Sequence, residues 1–135
     1  MNDKMDILRK IKGKKFVLLN LKLENLFESR KKEEVEISQI SKYKYTILEN
    51  TEELLRIKFN AHLYFEPQAI YDINLDYELE FRLKEPIKES DFRKHISVIL
   101  SPLANEISYL TAFLTDRMMD QPLIIAPIID EDNLD

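Results

Sequence analysis

Few residues in this chain are placed to do covalent or metal chemistry. His62 and His95 are the two histidines, and neither sits in an HExxH motif or another ligand spacing that would hold a metal. The chain has no cysteine, which excludes a disulfide, a thiolate metal site and a cysteine nucleophile. Ser29, Ser38, Ser41, Ser90, Ser97, Ser101 and Ser108 lie in no GxSxG context, and Gly13, the one glycine, cannot build a phosphate-cradling loop. The pairs Asp76/Glu78 and Glu78/Glu80 share a strand face by their spacing of two. Such a row is what a solvated sheet face needs, so it reads as surface rather than as an acid and base. An enzyme is not expected, and no cofactor or metal is called for.

What the chain does supply is adaptable apolar surface. It holds six tyrosines, seven phenylalanines and four methionines with no tryptophan. Phe59, Tyr77 and Phe81 alternate with polar residues and are assigned to an ordinary core, which buried aromatics dominate. Others stand out by position. Phe27 ends a strand pattern beside a charged loop, Tyr43 and Tyr45 share one strand face, and Met118 and Met119 precede a proline-flanked segment. Flexible methionines beside aromatics can accept varied side chains, as a surface for polypeptides must. Charge supports protein partners: 25 acids against 20 bases give a net charge of -5, the wrong sign for a nucleic-acid binder. The run Arg30-Lys31-Lys32 is answered at once by Glu33-Glu34, within a Debye length.

Periodicity assigns the elements that must carry these residues. Phe16 to Glu24 alternates, with Leu19, Leu21 and Leu23 on one face and Asn20, Lys22 and Glu24 on the other. After the charged run, read as a crossover loop, Val35, Ile37, Tyr43, Tyr45 and Ile47 resume the pattern. Glu49–Glu53 forms a turn, and a third strand carries Leu55, Ile57, Phe59, Ala61, Leu63 and Phe65. Past Glu66-Pro67-Gln68, a fourth carries Tyr71, Ile73, Leu75, Tyr77, Leu79, Phe81 and Leu83. Short connections favour an antiparallel meander, because parallel pairing needs long crossovers.

Beyond Pro86 the period lengthens. Phe92, Ile96, Ile99, Leu100, Leu103, Ile107, Leu110 and Leu114 form an amphipathic helical stripe, with Ser90 as its N-cap. Pro102 inside the pattern predicts a kink or two abutting helices. Ile99, at the margin of the stripe, and Phe113 and Met118 lie off its central line, so a lone chain would expose them, and association through helices or edge strands would cover them. The fold class is α+β: a four-stranded antiparallel sheet followed by a long, proline-kinked helix, in one domain over residues 1–135. Residues 1–13 are expected to be flexible and 128–135 to be a short acidic tail. Met1–Gly13 lacks the apolar run of a secretory signal, and Leu123–Ile129 is far too short to span a bilayer. A cytoplasmic protein is expected.

Several stretches resemble the SecB-like chaperones. In Ile99-Leu100-Ser101-Pro102-Leu103-Ala104-Asn105-Glu106-Ile107-Ser108-Tyr109-Leu110, the residues Pro102, Ala104, Glu106, Ile107 and Leu110 match the family's helix segment. Pro122-Leu123-Ile124-Ile125-Ala126-Pro127-Ile128 is similar to its proline-rich, leucine-alternating segment, and Leu26-Phe27-Glu28 to its serine-phenylalanine-glutamate. The resemblance implies a homotetramer, a dimer of dimers with helices packed between two eight-stranded sheets, and long apolar grooves that hold unfolded proteins without ATP. It implies that Phe27, Leu123 and Ile125 line the client groove, and that Glu24 and Glu28 dock the SecA translocation motor. Tyr43, Tyr45, Met118 and Met119 join the client surface on chemical grounds alone. Thr115–Gln121 replaces the family's glycine-containing turn, and the sequence reaches Asp135 without the counterpart of the family's last helix. Relatives that act alone, or guard an antitoxin in a toxin-antitoxin system, fit that pattern at least as well as a dedicated protein-transport chaperone. The competing reading is an adaptor or structural protein that keeps the fold and binds one specific partner.

Overall fold

The structure is a computed structural model that describes residues 3–26, 38–67, 69–119 and 128–134. A short helix α1 (Asp3–Arg9) leads into strand β1 (Ile11–Leu26), followed by β2 (Ser38–Asn50), β3 (Leu54–Glu66) and β4 (Ile70–Leu83). Residues 3–9 are helix and 11–13 open β1, within the stretch expected to be flexible. Val35, Ile37 and the charged run at 30–34 lie outside the described residues.

All neighbouring strands are antiparallel, but the sheet order is β1-β4-β3-β2. This corrects the simple meander. β1 runs alongside β4 from Ile11↔Leu83 to Leu26↔Ile70, so β1 and β2 form opposite edges. Alternation fixes which face a residue takes but is silent on which strand lies beside which.

The two hairpins have legible chemistry. At the β2–β3 turn the Thr51 Oγ1 accepts from the N–H groups of Glu53 and Leu54, and the Thr51 N–H donates to the Leu54 carbonyl at 2.8 Å. Side-chain hydroxyls that take local N–H groups are common turn formers. Between β3 and β4, Ile70 has φ 63°, and the Tyr71 N–H closes back onto the Ala69 carbonyl at 2.7 Å. That is a γ-turn about a β-branched residue, an uncommon and strained conformation.

The period-2 pattern sends Leu55 to Phe65 of β3 and Tyr71 to Leu83 of β4 to one face, where they are buried. Helices α2 (Glu89–Lys94), α3 (Ile96–Ile99) and α4 (Ser101–Met119) add Phe92, Ile96, Ile99, Leu100, Leu103, Ala104 and Ile107 to this core. Ile99 is thus a core residue, where the sequence placed it at the margin of the stripe. The expected kinked helix is broken into three. Breaks fall at His95 and Leu100, and Pro102 sits in the first turn of α4, where its missing N–H costs no helical bond. Lys88, not Ser90, is the N-cap of α2; Ser90 lies inside the first turn.

Two further departures decide the surface. A register shift between Leu18 and Asn20 puts Phe16 and Leu18, then Leu21 and Leu23, opposite core residues of β4. Leu19 falls in the bulge and is 55% exposed. A bulge adds one residue and resets alternation, which the doubled Leu18-Leu19 signals. In α4 the buried face continues from Ile107 through Thr111 and Thr115, not through Leu110 and Leu114, which are partly buried. Each threonine Oγ1 donates to a carbonyl one turn back, Ile107 and Thr111 respectively, at 2.8 Å. That bond satisfies a hydroxyl inside an apolar layer.

Candidate functional site

The face of the sheet away from the helices is polar and cross-linked. Arg56 donates to Glu78 at 2.7 Å and to Glu49 at 3.4 Å, and these bonds raise its already high pKa. The Asn60 amide donates to Asn74 Oδ1 at 2.6 Å and Asp76 Oδ1 at 2.8 Å. His62 Nε2 lies 2.9 Å from Asp72 Oδ1 and its ring stacks on Tyr64 at 4.4 Å. The carboxylates of Asp72, Asp76 and Glu78 on β4 are each engaged by a side chain of β3, as cross-strand pairing favours. Among the described residues there is no group of three or more His, Asp or Glu that could hold a metal. Nor is any helix among them long and apolar enough to cross a membrane.

The apolar surface lies elsewhere, in three places. Along β1 the side chains of Val17, Leu18, Leu19 and Leu21 are exposed, on an edge strand whose outer backbone has no strand beside it among the described residues. On α4, burial of the threonines turns Tyr109 and Phe113 outward, 71% and 47% exposed, with the Arg117 guanidinium over the Phe113 ring at 5.1 Å. At one end of the molecule a cleft of about 570 Å³ is lined by Leu8, Ile11, Phe81, Val98 and Pro102, with Lys14 among its polar residues. An open sheet edge and an exposed apolar ridge are surfaces on which another chain can pack.

The residues proposed from the sequence are distributed unevenly. Phe27, Glu28, Leu123 and Ile125 lie outside the described residues, as does the extended segment at 120–127. Met119 ends α4, its side chain not described. Met118 is partly buried against the core, and Glu24 is exposed on β1 opposite Asp72. Tyr43 and Tyr45 do share one face of β2, but both turn into the protein. Tyr43 is 2% exposed and stacks on Phe59 at 5.8 Å. Tyr45 meets the Phe92 ring edge-on at 5.3 Å. Burial raises the Tyr43 hydroxyl's pKa, with the Asp130 charge adding to it. Over Tyr43 lies the C-terminal segment. Leu134 makes a parallel bridge to Tyr43, Ile129 is buried, and Asp130 caps a 3-10 turn over Glu131–Asn133. The expected acidic tail therefore packs back onto β2.

Buried tyrosine hydroxyls recur in this layer. Those of Tyr45, Tyr71 and Tyr77 have no hydrogen-bond partner among the described residues. Burial pushes Tyr71 up to about 12 and Tyr77 higher still. Gln39 and Glu106 stand beside these two hydroxyls without a well-formed bond.

Sequence reasoning left Phe113 exposed but missed the β1 leucines, the ridge that Phe113 makes with Tyr109, and the cleft. The first was signalled by the doubled leucine, and the second by an aromatic pair at a spacing of four. The cleft had no local signal, since its walls come from α1, β1, β4, α3 and α4.

No family model matches the chain, and no curated protein matches it. Among solved structures, the Mycobacterium tuberculosis Rv1957 SecB-like chaperone, in complex with a ChAD peptide from the Rv1956 HigA1 antitoxin, superposes with a TM-score of 0.68. The match covers 92% of this chain and 95% of that one, at 12% identity. The chain has a SecB-like fold. A protein of unknown function from Streptococcus agalactiae also aligns, over 84% of this chain and 98% of that one, with a TM-score of 0.49 and 10% identity. At such identities the SecB-like likeness speaks for the sheet and helices, and residue roles rest on this chain's own chemistry.

Proposed function

We propose that this protein is a holdase: it binds non-native polypeptides through apolar surface, without ATP, and releases them to a partner or to folding. The observation that supports this most is the unpartnered apolar surface of β1 and α4 in a SecB-like fold whose solved counterpart carries an antitoxin peptide. Burying apolar client segments would contribute roughly 25 cal/mol per Å². A homotetramer is part of the reading: edge-to-edge pairing of β1 would extend the sheet, and the Tyr109/Phe113 ridge would pack against another helix. The client groove would use Phe27, Met118, Met119, Leu123 and Ile125, with Tyr43 and Tyr45 at its β2 wall. Glu24 and Glu28 would form an acidic dock for SecA or for a basic stretch of an antitoxin. The reading needs no cofactor and places the protein in the cytoplasm.

A second reading has its own observation. Tyr43 and Tyr45 are closed against the chain's own core, as they would be in an adaptor that keeps the fold and binds one folded partner.

Light scattering of a chemically denatured client, diluted with and without the protein after its solution mass is measured, tests the choice. Suppression of aggregation at stoichiometric amounts by a tetramer is expected. No suppression at any ratio would discard the holdase in favour of the adaptor.

A further inference from the structure

The edge of β2 is already occupied by a peptide, and that peptide is part of the same chain. Tyr43 is buried on an edge strand, while its neighbours on the same face, Ser41, Tyr45 and Ile47, are partly exposed. The difference coincides with the residues that lie over Tyr43. Leu134 bridges it in parallel and packs against the core, and Ile129 is buried to 1%. Between these two aliphatics the backbone makes one turn. The Asp130 carboxylate accepts from the Asn133 N–H, and the Asn133 amide donates to the Ile128 carbonyl at 3.1 Å. The residues of the turn, Asp130, Glu131 and Asp132, are acidic, while Lys42 and Lys44 stand on the opposite face of β2 from Tyr43.

We infer that the β2 edge is a docking strip for a polypeptide segment with two aliphatic side chains flanking a short acidic turn, and that Ile129–Leu134 fills this strip until such a segment displaces it. The inference rests on the holdase reading for the identity of the incoming segment, a stretch of client, but not for the existence of the strip. The strip's features divide the work. Tyr43 and the Phe59 beneath it form the apolar floor, and the open backbone of β2 supplies the bridge. The resident segment is held by two anchors and one bridge, in contrast to the strand ladders of the sheet, so exchange need not disturb the fold. An occupied site lowers the apparent affinity for a competitor by the fraction of molecules that are open.

The experiment uses the full chain and a dye-labelled synthetic peptide of residues 128–134. Ile129→Asp with Leu134→Asp disengages the resident segment, and circular dichroism with cooperative unfolding shows whether that variant keeps the fold. The labelled peptide is expected to bind the variant at least about tenfold more tightly than the parent. A control peptide with aspartate at both aliphatic positions is expected not to bind. Equal binding to parent and variant, or no binding to a folded variant, overturns the inference. Should the variant not fold, hydrogen exchange on the parent decides instead: amides at 129–134 are expected to lose protection when excess reduced, unfolded client is added. Protection retained while client is bound places the client elsewhere and overturns the inference. The holdase reading fails separately, if the parent suppresses no aggregation while the peptide still binds the variant.

Discussion

The two edges of the sheet face the same physical problem and meet it differently. Each ends in a strand with an unpaired side, which attracts other strands unless something covers or charges it. On β2 the outward residues include Lys42, Lys44 and Thr46, the aromatics turn inward, and Leu134 bridges Tyr43. On β1, lysines at 12, 14 and 15 guard the first third of a 16-residue strand, and Lys22 and Glu24 are charged and exposed near its far end. Between them Val17, Leu18, Leu19 and Leu21 are in water, and two register shifts add a further disruption. One edge is bridged from within its own chain, and the other has no strand beside it among the described residues. The proposed client strip and the proposed assembly contact therefore fall on opposite edges of one sheet.

Four perturbations would break or sharpen that contrast. Phe59 is fully buried beneath Tyr43, so Phe59→Ala should destabilise the fold by about 3–5 kcal/mol in denaturant unfolding. Phe16, partly buried near the open edge, should lose less than half as much on Phe16→Ala. Equal losses would mean that both edges are equally well packed. Leu18→Asp with Leu21→Asp should leave the circular dichroism unchanged while sedimentation shows a smaller species. An unchanged mass would remove β1 from the assembly.

Alkaline titration gives the third test. Tyr71, pushed from 10.0 to about 12, and Tyr43 and Tyr77, also raised, are held neutral by burial. A group whose folded pKa exceeds its unfolded one gives stability that is complete below the unfolded value and lost as pH climbs through the folded one. Stability should therefore fall between about pH 10 and 12, and Tyr71→Phe should flatten that fall. A fall that Tyr71→Phe leaves unaltered would detach it from this group. The smallest effect belongs to the polar face. Arg56→Ala removes a partly exposed pair with Glu78 and Glu49, and its small cost should vanish in high salt.

Much of this was legible beforehand, for stateable reasons. β3 and β4 alternate without interruption, and their inward residues are the buried ones because a strand side chain has only two directions. The change of period after Pro86 marks the helices for the same kind of reason. Leu19 and Ile99 were misplaced where a bulge or a helix break resets the count. Leu110 and Leu114 were misplaced because hydrophobicity outranks threonine in any stripe, although a threonine that bonds its own helix is cheap to bury. For the candidate site, pairing Tyr43 with Tyr45 was sound, yet their closure under Ile129 and Leu134 could not be read from either segment alone.

By itself the sequence determined the strands, the two faces of β3 and β4, the change of period after Pro86 and the lack of cysteines and of phosphate-loop and metal-ligand motifs. Each of these follows from residue type and from periodicity within a window of a few residues. Only the tertiary structure decided that β1 pairs with β4, that α4 turns its threonines inward and its aromatics outward, and that the C-terminal segment lies on Tyr43. Those outcomes depend on the competition of distant segments for the same buried area, and that competition leaves no local mark in the chain.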